Sequence, residues 1–478
     1  MTRVLSVTSE IFPLVKTGGL ADVTGALPAA LAPLDVDTVT LIPGYPEVLQ
    51  ALDRGEILQH FDDLFGGPAT VVAGSAAGLE LLVLDAPHLY NRDGSPYFGP
   101  DGRLWPDNDL RFAALGAAAA ALAVGLGFDV VHAHDWQAAL AVVYLHVHAG
   151  RRPGTVLTIH NLAFQGHFPG SLFPRLGLPP GLFSRDGLEY WGDVSYLKGG
   201  LLFADRLTTV SPTYAREITH QDAGAGLDGV LRWRSGVLSG ILNGIDDTVW
   251  NPSEDPHIAS PFSAQRLMRR IANKVALKEQ LGLAPDPTAL LIGIISRMTE
   301  QKGLDLLLAQ IGVRAVGGMQ FAILGSGEPW MQEGFLAAVR QHPGRVACVL
   351  GYNEPLAHLI QAGSDAILMP SRFEPCGLTQ LCALRYGAIP IVGRVGGLAD
   401  TVVDANEAAL SAGVATGIQF APVTDGALTE ALNRAAALWQ DKATWTRMQR
   451  NALKQDVSWR RSAQKYAELY RALEAERA

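Results

Sequence analysis

Short apolar runs rich in β-branched residues alternate with helical patterns along almost the whole chain. The strand-like runs cover residues 4–8, 38–42, 79–84, 130–134, 156–160, 206–210, 289–296, 304–308, 320–324, 346–350, 366–369 and 389–392. Because strands that alternate with helices pair through crossover connections, this rhythm predicts parallel sheets in doubly wound α/β domains. At roughly 150 residues per domain, a length of 478 residues allows two large domains or three smaller ones.

A near repeat indicates that two such domains are present. The sequence GGLAD occurs at residues 18–22 and again at residues 396–400, each time before a helical pattern. Glycines at a loop-to-helix junction expose backbone N–H groups at the positive end of the helix dipole, which suits a phosphate. The repeat therefore predicts two Rossmann-like domains that face a shared cleft, although the glycines could also make tight turns only. The turn-rich stretch 243–253, near the midpoint, is the candidate linker.

Charge and cysteine content exclude several classes of protein. The 38 Lys and Arg against 47 Asp and Glu give a net charge of −9, so the chain does not attract nucleic acid or anionic membrane over long range. Its three cysteines form no CxxC pattern, which disfavours a zinc knuckle or a disulfide framework and favours a reducing cytoplasm. The longest apolar run, residues 113–128, is shorter than the roughly 20 residues that span a bilayer, and we interpret it as a buried helix. Polar residues interrupt the N-terminal segment, unlike a signal peptide.

Three cations lie where a phosphate-bearing ligand would need them. Lys16 precedes the first glycine pair by two residues, although the spacing is not that of a P-loop. Arg297 and Lys302 follow the strand-like run 289–296, at the strand end where open α/β sheets bind ligands. Because an arginine can grip two phosphate oxygens and a lysine adds a point charge, this loop suits a diphosphate. The alternative for all three residues is a solvated turn that carries basic side chains.

A carboxylate and a glycine follow the strand-like run 366–369. Glu374 could accept hydrogen bonds from sugar hydroxyls, and the N–H groups around Gly377 could bind a phosphate. The alternative for a lone glutamate is a solvent-exposed position. Cys376 could be a nucleophile, but no histidine lies nearby in sequence, and a small buried thiol is the commoner case.

Histidines and paired aspartates raise the alternative of a metal site. His132 and His134 are two residues apart, which suits metal ligation but also simple alternation along a strand. The Asp-X-Asp triplets at 35–37 and 107–109 could chelate Mg²⁺ on a nucleotide diphosphate, but they are also typical of a surface turn and a helix N-terminus. We therefore predict no metal. Trp330 replaces the third glycine of a dinucleotide fingerprint that would begin at Gly325, which removes the best support for a dehydrogenase.

Nine ordered segments carry a family resemblance. They are KTGGLAD at 16–22, HAHDW at 132–136, TIHN at 158–161, LKGG at 197–200, NGID at 243–246, SR with QKG at 296–303, GYNE at 351–354, EPCGLT at 374–379 and GGL at 396–398. With this set the chain resembles bacterial glycogen synthases and plant starch synthases, which are retaining glucosyltransferases of the GT-B fold. The resemblance implies an N-terminal acceptor and catalytic domain at 1–243, a nucleotide-sugar-binding domain at 244–458, and a helix at 459–478 that crosses back to the first domain.

The resemblance also implies a reaction and the residues that perform it. Glucose would pass from ADP-glucose to the non-reducing end of an α-1,4-glucan such as glycogen, with retention at the anomeric carbon, in the cytoplasm and without a metal or cofactor. Arg297 and Lys302 would neutralise the diphosphate, Glu374 would hold sugar hydroxyls, and Tyr352 would stack on the adenine. The implied catalytic residues are Glu374, Arg297, Lys302, His160 and Asp135. The implied substrate-binding residues are Lys16, Gly18, Gly19, Asp22, Asn161, Asn243, Tyr352, Cys376, Gly377, Leu378 and Thr379.

Three alternatives remain open from the sequence. The first is the same fold with UDP-glucose or another sugar nucleotide as donor. The second is a catalytically silent glucan-binding protein, and the third is a phosphorylase-like enzyme, which would carry pyridoxal phosphate on a lysine. The chain departs from the family pattern at Glu300, where many relatives have an apolar or aromatic residue, and at Val395, where many have Thr or Ser. Neither departure argues against activity.

Overall fold

The computed structural model describes residues 1–477, and for Arg54 it describes the main chain alone. The chain divides into two compact units, each built around its own sheet. The first comprises Met1–Asn243 together with Trp459–Ala478, and the second comprises Gly244–Ser458. No helix in this described part of the chain is both long enough and apolar enough to cross a bilayer.

The first unit contains twelve strands and eight helices before the chain enters the second unit. The strands are β1 (Thr2–Val7), β2 (Val36–Pro43), β3 (Asp53–Phe61), β4 (Ala69–Ala76), β5 (Leu79–Asp85), β6 (Val130–His134), β7 (Gly154–Ile159), β8 (His167–Pro169), β9 (Glu189–Tyr190), β10 (Asp193–Ser195), β11 (Arg206–Thr209) and β12 (Leu238–Gly240). The helices are α1 (Gly19–Leu31), α2 (Pro46–Ala51), α3 (Pro87–Tyr90), α4 (Asn108–Gly125), α5 (Asp135–His146), α6 (Tyr196–Phe203), α7 (Pro212–Glu217) and α8 (Asp228–Trp233). Single 3-10 segments lie at Ala32–Leu34, Gly170–Leu176, Pro180–Leu182 and Ser235–Val237.

Nine of these strands form one sheet in the order β12-β11-β7-β6-β1-β2-β5-β4-β3. All neighbours pair in parallel except at one edge, where β3, β4 and β5 are antiparallel. The sequence analysis did not find the β3–β4 hairpin. The chain builds outward from β1 to β2 and then returns to β6 on the other side of β1, so the topological switch point lies between β1 and β6. Ligands of open α/β sheets bind at the carboxyl ends of strands at such a point.

The second unit is a parallel doubly wound domain. Its strands are β13 (Leu291–Ile295), β14 (Gln320–Gly325), β15 (Val346–Leu350), β16 (Ala366–Met369), β17 (Ile389–Gly393) and β18 (Ile418–Phe420). Its helices are α9 (Arg270–Leu281), α10 (Leu304–Val316), α11 (Pro329–Gln341), α12 (Glu354–Gly363), α13 (Thr379–Tyr386), α14 (Gly396–Thr401), α15 (Glu407–Ala412), α16 (Asp425–Gln440) and α17 (Lys442–Leu453), with 3-10 segments at Leu267–Arg269 and Glu300–Lys302. The strand order β15-β14-β13-β16-β17-β18 puts the switch point between β13 and β16.

One strand expectation is wrong. Residues 304–308 were predicted as a strand, but they form the first turns of α10. Leu304, Leu307 and Ile311 are buried at helical spacing, and the run begins after Gly303, whose left-handed backbone ends the preceding turn. A five-residue apolar run does not by itself distinguish a strand from a buried helix.

Two helices expected from the sequence are present. The apolar run 113–128 lies largely in α4, most of whose alanines are buried. The C-terminal segment forms α18 (Arg460–Ala475), which belongs to the first unit, while residue 478 lies outside the described residues. Its buried stripe includes Tyr466, Tyr470 and Leu473, which pack with residues of β1, β6, β7 and α1. The spacing of three and four residues is what places these side chains on one face.

Candidate active site

The strand ends at the switch point of the second unit carry an ion pair between two predicted site residues. Lys302 Nζ donates to Glu374 Oε2 over 2.6 Å, and Ser371 Oγ donates to the same oxygen over 3.0 Å. The two charged side chains are only 17% and 8% exposed. Within the described chain, Glu374 Oε1 has no hydrogen-bond partner. The structure thus joins a cation and a carboxylate that the sequence analysis took from two separate motifs.

Glycines allow the loops of this site to approach closely. Gly303 has a φ of +66°, and a Cβ there would lie 1.9 Å from the carbonyl oxygen of Pro370. Gly396 has a φ of +41°, and its Cβ would lie 2.0 Å from the carbonyl oxygen of Glu374. The N–H of Gly397 donates to that same carbonyl over 3.1 Å. The loops after β13, β16 and β17 therefore pack main chain against main chain, which only glycine at these positions permits.

Two further predicted residues of this unit are exposed. Arg297 follows β13, and its guanidinium has no ion-pair or hydrogen-bond partner among residues 1–477. The Tyr352 ring is 75% exposed, and its hydroxyl donates to the carboxylate of Glu354. The Glu300 side chain is also exposed. A guanidinium and an aromatic ring are thus accessible on this unit.

The segment before α13 presents main-chain groups. Gly377 has a φ of +73°, and Leu378 and Thr379 form the N-terminus of α13, which no side chain caps. Uncapped N–H groups at a helix start carry partial positive charge. Cys376 is buried, with 4% exposure, and its carbonyl accepts from the side-chain amide of Gln380. The position of Cys376 favours packing over a role as nucleophile.

The switch point of the first unit is organised by Glu10, which the sequence analysis did not select. Its carboxylate lies just beyond β1, is 3% exposed, and accepts hydrogen bonds from four donors. These donors are the Thr17 N–H, the Thr17 hydroxyl at 2.7 Å, the Gly18 N–H at 3.3 Å and the Tyr97 hydroxyl at 2.5 Å. Glu10 therefore holds the loop with the first glycine pair. The available sequence signal was its place at the carboxyl end of the first strand.

The loop that Glu10 holds and the first turn of α1 carry four of the predicted binding residues. Lys16 Nζ pairs with Asp22 of α1 over 2.8 Å and lies 5.1 Å from the centroid of the Phe12 ring. Gly18 precedes α1 and Gly19 begins it. A Cβ at Gly18 would meet no atom within 4 Å, in contrast to the crowded glycines of the second unit. The space beside Gly18 is therefore open.

Asp135, His160 and Asn161 form one contact group at the same switch point. Asp135 begins α5 directly after β6 with a left-handed φ of +58° and is 7% exposed. Its Oδ1 accepts from the N–H of His160 at 2.7 Å and from the N–H of Asn161 at 3.4 Å. Burial raises the pKa of Asp135 to about 7; the two N–H donors oppose this rise, and the charge of Glu10 adds to it. The sequence-predicted trio is thereby brought together.

The histidines of the HAH motif contact protein groups. His132 bonds through Nδ1 to the Tyr470 hydroxyl at 2.7 Å and through Nε2 to the Thr158 hydroxyl at 2.6 Å. His134 Nδ1 lies 3.0 Å from His160 Nε2. Burial lowers the pKa of His160 to about 3 and that of His134 well below its usual value, so both rings are neutral near pH 7. No group of three His, Cys, Asp or Glu side chains arranged for a metal ion occurs in the described chain.

Asn243, the last residue of the first unit before the crossing, has an unusual environment. It is 9% exposed, and its side-chain oxygen has no hydrogen-bond partner within residues 1–477. Because buried polar atoms are nearly always hydrogen-bonded, this oxygen is a candidate ligand contact. In the second Asp-X-Asp triplet, at 107–109, the carboxylate of Asp107 is already paired with the guanidinium of Arg92 at 2.8 Å.

Comparison with known proteins identifies the family. The starch synthase catalytic domain family matches residues 3–233, and glycosyl transferases group 1 match residues 289–437. A glycogen synthase from Methylocella silvestris is 58% identical, over 99% of this chain and 99% of its own length. A glycogen synthase from Rhodopseudomonas palustris is 57% identical, over 99% of this chain and 98% of its own length.

Solved structures agree with the sequence relatives. The catalytic domain of starch synthase IV from Arabidopsis thaliana, bound to ADP and acarbose, superposes with a TM-score of 0.90 at 32% identity and covers 99% of each chain. A sucrose-phosphate synthase from Thermosynechococcus elongatus has a TM-score of 0.62 at 18% identity, covers 100% of both chains and shares the fold alone. These likenesses confirm the GT-B architecture expected from the sequence. The chain belongs to the glycogen and starch synthase family of GT-B glycosyltransferases and is a hexosyltransferase.

Proposed function

We propose that this protein moves glucose from ADP-glucose to the non-reducing end of an α-1,4-glucan such as glycogen, with retention at the anomeric carbon. The observation that carries the proposal is the contact between Lys302 and Glu374 at the switch point of the second unit. A nucleotide sugar places an anionic diphosphate next to a ring of hydroxyls. A cation and a carboxylate 2.6 Å apart can serve both groups at once.

The second unit supplies the proposed donor contacts. Arg297 and Lys302 neutralise the diphosphate, and the N–H groups of the 377–379 segment receive its distal phosphate. Glu374 Oε1 accepts from a sugar hydroxyl while Oε2 stays with Lys302. The Tyr352 ring, which is 75% exposed, stacks on the adenine. The ADP in the Arabidopsis starch synthase IV structure supports an adenine nucleotide rather than UDP.

The first unit supplies the proposed contacts to the transferred glucose. Asp135, His160 and Asn161 are grouped by the hydrogen bonds to Asp135 Oδ1. The His160 ring is neutral and its Nε2 faces His134, so its Nδ1 is left for one hydrogen bond to a sugar hydroxyl. The open space beside Gly18 leaves room for a ligand to approach the main chain next to Lys16. The unsatisfied oxygen of Asn243 accepts a further hydroxyl.

The proposed reaction breaks the bond between the anomeric carbon and the β-phosphate oxygen. The electron pair of that bond stays on the phosphate, where Arg297 and Lys302 stabilise the developing charge. The acceptor 4-hydroxyl attacks the anomeric carbon from the face that the phosphate leaves, and its proton passes to the departing phosphate oxygen. Attack on the same face retains the configuration. Exclusion of water around the partly buried Lys302 strengthens its attraction to the phosphate.

A double displacement would instead need a carboxylate nucleophile beneath the anomeric carbon. Asp135 is poorly suited, because its raised pKa of about 7 leaves it partly protonated at neutral pH and its Oδ1 already accepts two N–H bonds. In Glu374, Oε2 is held by Lys302 and Ser371, and Oε1 is the oxygen that we assign to a sugar hydroxyl. Trapping a covalent glucosyl-enzyme on either carboxylate would overturn the same-face mechanism.

The direct test measures nucleotide release. The protein is incubated with glycogen and either ADP-glucose or UDP-glucose, and released nucleotide and lengthened α-1,4 chains are measured. We expect ADP release that depends on glycogen, with a much lower rate for UDP-glucose. A faster reaction with UDP-glucose would establish the alternative donor. Glycogen binding without nucleotide release would establish a silent glucan-binding protein.

We place the reaction in the cytoplasm, a location supported by three free cysteines in the described chain.

A further inference from the structure

Two loops of the proposed donor site are joined by hydrogen bonds. The lysine loop, residues 300–303, follows β13 and carries the proposed phosphate cation, and the glutamate loop, residues 371–374, follows β16 and carries the carboxylate. The N–H of Arg372 donates to the carbonyl oxygen of Gln301 over 2.9 Å. The side-chain amide of Gln301 donates in turn to the carbonyl oxygen of Phe373 over 3.3 Å. These bonds tie the two loops together at the residues that immediately precede the ion pair.

Arg372 adds a charged contact between the loops. Its Nη1 donates to the carbonyl oxygen of Glu300 over 2.6 Å, and its Nη1 and Nη2 donate to the two carboxylate oxygens of Asp305 over 2.7 and 2.6 Å. Asp305 lies in the first turn of α10, just after the lysine loop. Guanidinium and carboxylate therefore meet as a fork with two parallel bonds, which fixes direction as well as distance. We call Arg372 and Asp305 the bridging pair.

The charge of Arg372 is balanced within the protein. The hydrogen bonds from Arg372 hold the pKa of Asp305 below its usual value, so this carboxylate is ionised at neutral pH. The two side chains are 38% and 25% exposed, and an ion pair at that exposure contributes little to stability. Arg372 is the third basic residue at these strand ends, after Arg297 and Lys302, but it is occupied by protein groups. Its fork therefore acts on the geometry of the loops more than on the stability of the fold.

The distance between Lys302 and Glu374 depends on how the two loops lie, because the two residues are 72 positions apart in the chain. A nucleotide sugar must meet the ammonium with its diphosphate and the free carboxylate oxygen with a hydroxyl, and a misplacement of about 1 Å can cost about a hundredfold in rate. We propose that Arg372 and Asp305 are positioning residues. The bridging pair fixes the lysine loop against the glutamate loop and thereby sets Lys302 and Glu374 for the diphosphate and the sugar of the donor. This inference rests on the proposed function for its ligand.

The test uses substitutions for which charge and position predict different results. Asp305→Asn removes a negative charge beside an anion site, so charge alone predicts tighter binding of ADP, as does a direct contact between a released Arg372 and a phosphate. Positioning predicts weaker binding, because the fork is lost. Arg372→Lys keeps the charge but cannot form the fork, so charge alone predicts no change and positioning again predicts weaker binding. Binding of ADP is measured by titration calorimetry.

A second ion pair of the same unit provides the matched control. Arg434 Nη2 donates to both carboxylate oxygens of Asp404 over 3.0 and 3.1 Å, and the two side chains are 38% and 24% exposed. This pair joins α16 to the segment after α14, so it has the exposure of the bridging pair without its place between the lysine loop and the glutamate loop. Asp404→Asn should therefore change thermal unfolding about as much as Asp305→Asn does and should bind ADP like the wild type.

We expect Asp305→Asn and Arg372→Lys each to weaken ADP binding about tenfold and to raise KM for ADP-glucose about as much, with KM for glycogen unchanged. The double variant should lose no more than about tenfold, because the two residues act as one unit. ADP binding by Asp305→Asn that equals or exceeds that of the wild type would overturn the proposal, and so would an equal loss in Asp404→Asn. Since ADP binding needs no turnover, a wild type that binds ADP and transfers no glucose would refute the proposed function alone.

Discussion

The glycine loop at residues 16–19 depends on one buried carboxylate, and Glu10→Gln tests that dependence. Glutamine keeps the shape of the side chain and one acceptor oxygen. That oxygen can still serve the N–H groups of Thr17 and Gly18, which cannot reverse their roles, while the Thr17 and Tyr97 hydroxyls must turn to accept from the new amide. The substitution therefore removes the charge rather than the contacts.

The magnitude follows from the number of bonds. A hydrogen bond to a charged group contributes about 1.5–3 kcal/mol and a neutral one about 1 kcal/mol, so each of the four donors loses roughly 1 kcal/mol. Because the bonds share one carboxylate and are not additive, we take about 2–3 kcal/mol in total. If the loop must be ordered to bind the donor, kcat/KM for ADP-glucose falls about 30- to 150-fold.

The assay is initial-rate ADP release at fixed glycogen, with thermal unfolding measured on the same samples. Tyr97→Phe tests the same carboxylate from the donor side, since it removes one charged hydrogen bond of the four and should cost about 1.5 kcal/mol, or roughly tenfold in kcat/KM. A folded Glu10→Gln protein with kcat/KM within threefold of the wild type would refute the assignment of loop order to Glu10.

Three further substitutions test other contacts. Lys302→Ala leaves Glu374 without its cation, so we expect turnover at saturating donor to fall tens-fold or more and the free energy of unfolding to fall by about 2–3 kcal/mol. Unchanged turnover would refute the role of Lys302. Asp135→Asn should gain stability relative to the wild type as pH rises from about 4 to about 7, by up to about 4 kcal/mol, because the raised pKa of Asp135 makes its ionisation destabilise the folded state in that window. Denaturation at several pH values checks this, and a difference in unfolding free energy that does not change with pH would contradict it. Gly303→Ala should lower stability by several kcal/mol, whereas Gly282→Ala, with a φ of +67° and no neighbour within 4 Å, should cost only about 1 kcal/mol; equal melting temperatures would count against the packing argument.

The sequence predicted the strands well where burial on both faces leaves a continuous apolar run. The run 289–296 contains β13, and 389–392 lies in β17. The prediction failed at 304–308, where a similar apolar run belongs to a helix. It also missed β3, because the exposed positions of that strand interrupt the apolar run. Period and composition are local signals, and the pairing that decides between strand and helix is not local.

The candidate site shows the same limit. Motifs located Lys302 and Glu374, but no pattern indicated that their side chains meet, because 72 residues separate them in the chain. Glu10 stood outside every glycine or histidine motif, and only the strand order reveals that β1 and β6 flank the switch point.

The membership of α18 in the first unit has a consequence for biosynthesis. The apolar face formed by Val4, Val23, Val130 and Val156 is covered by Tyr466, Tyr470 and Leu473. On the ribosome those residues emerge only after the whole of Gly244–Ser458, which at roughly 5–20 residues per second takes on the order of ten to forty seconds. During that interval the nascent first unit exposes an apolar surface, which α18 covers only after it has been synthesised. The second unit is continuous in sequence, so it can fold completely before the first unit does. The first unit is then the first to be synthesised and the last to finish folding.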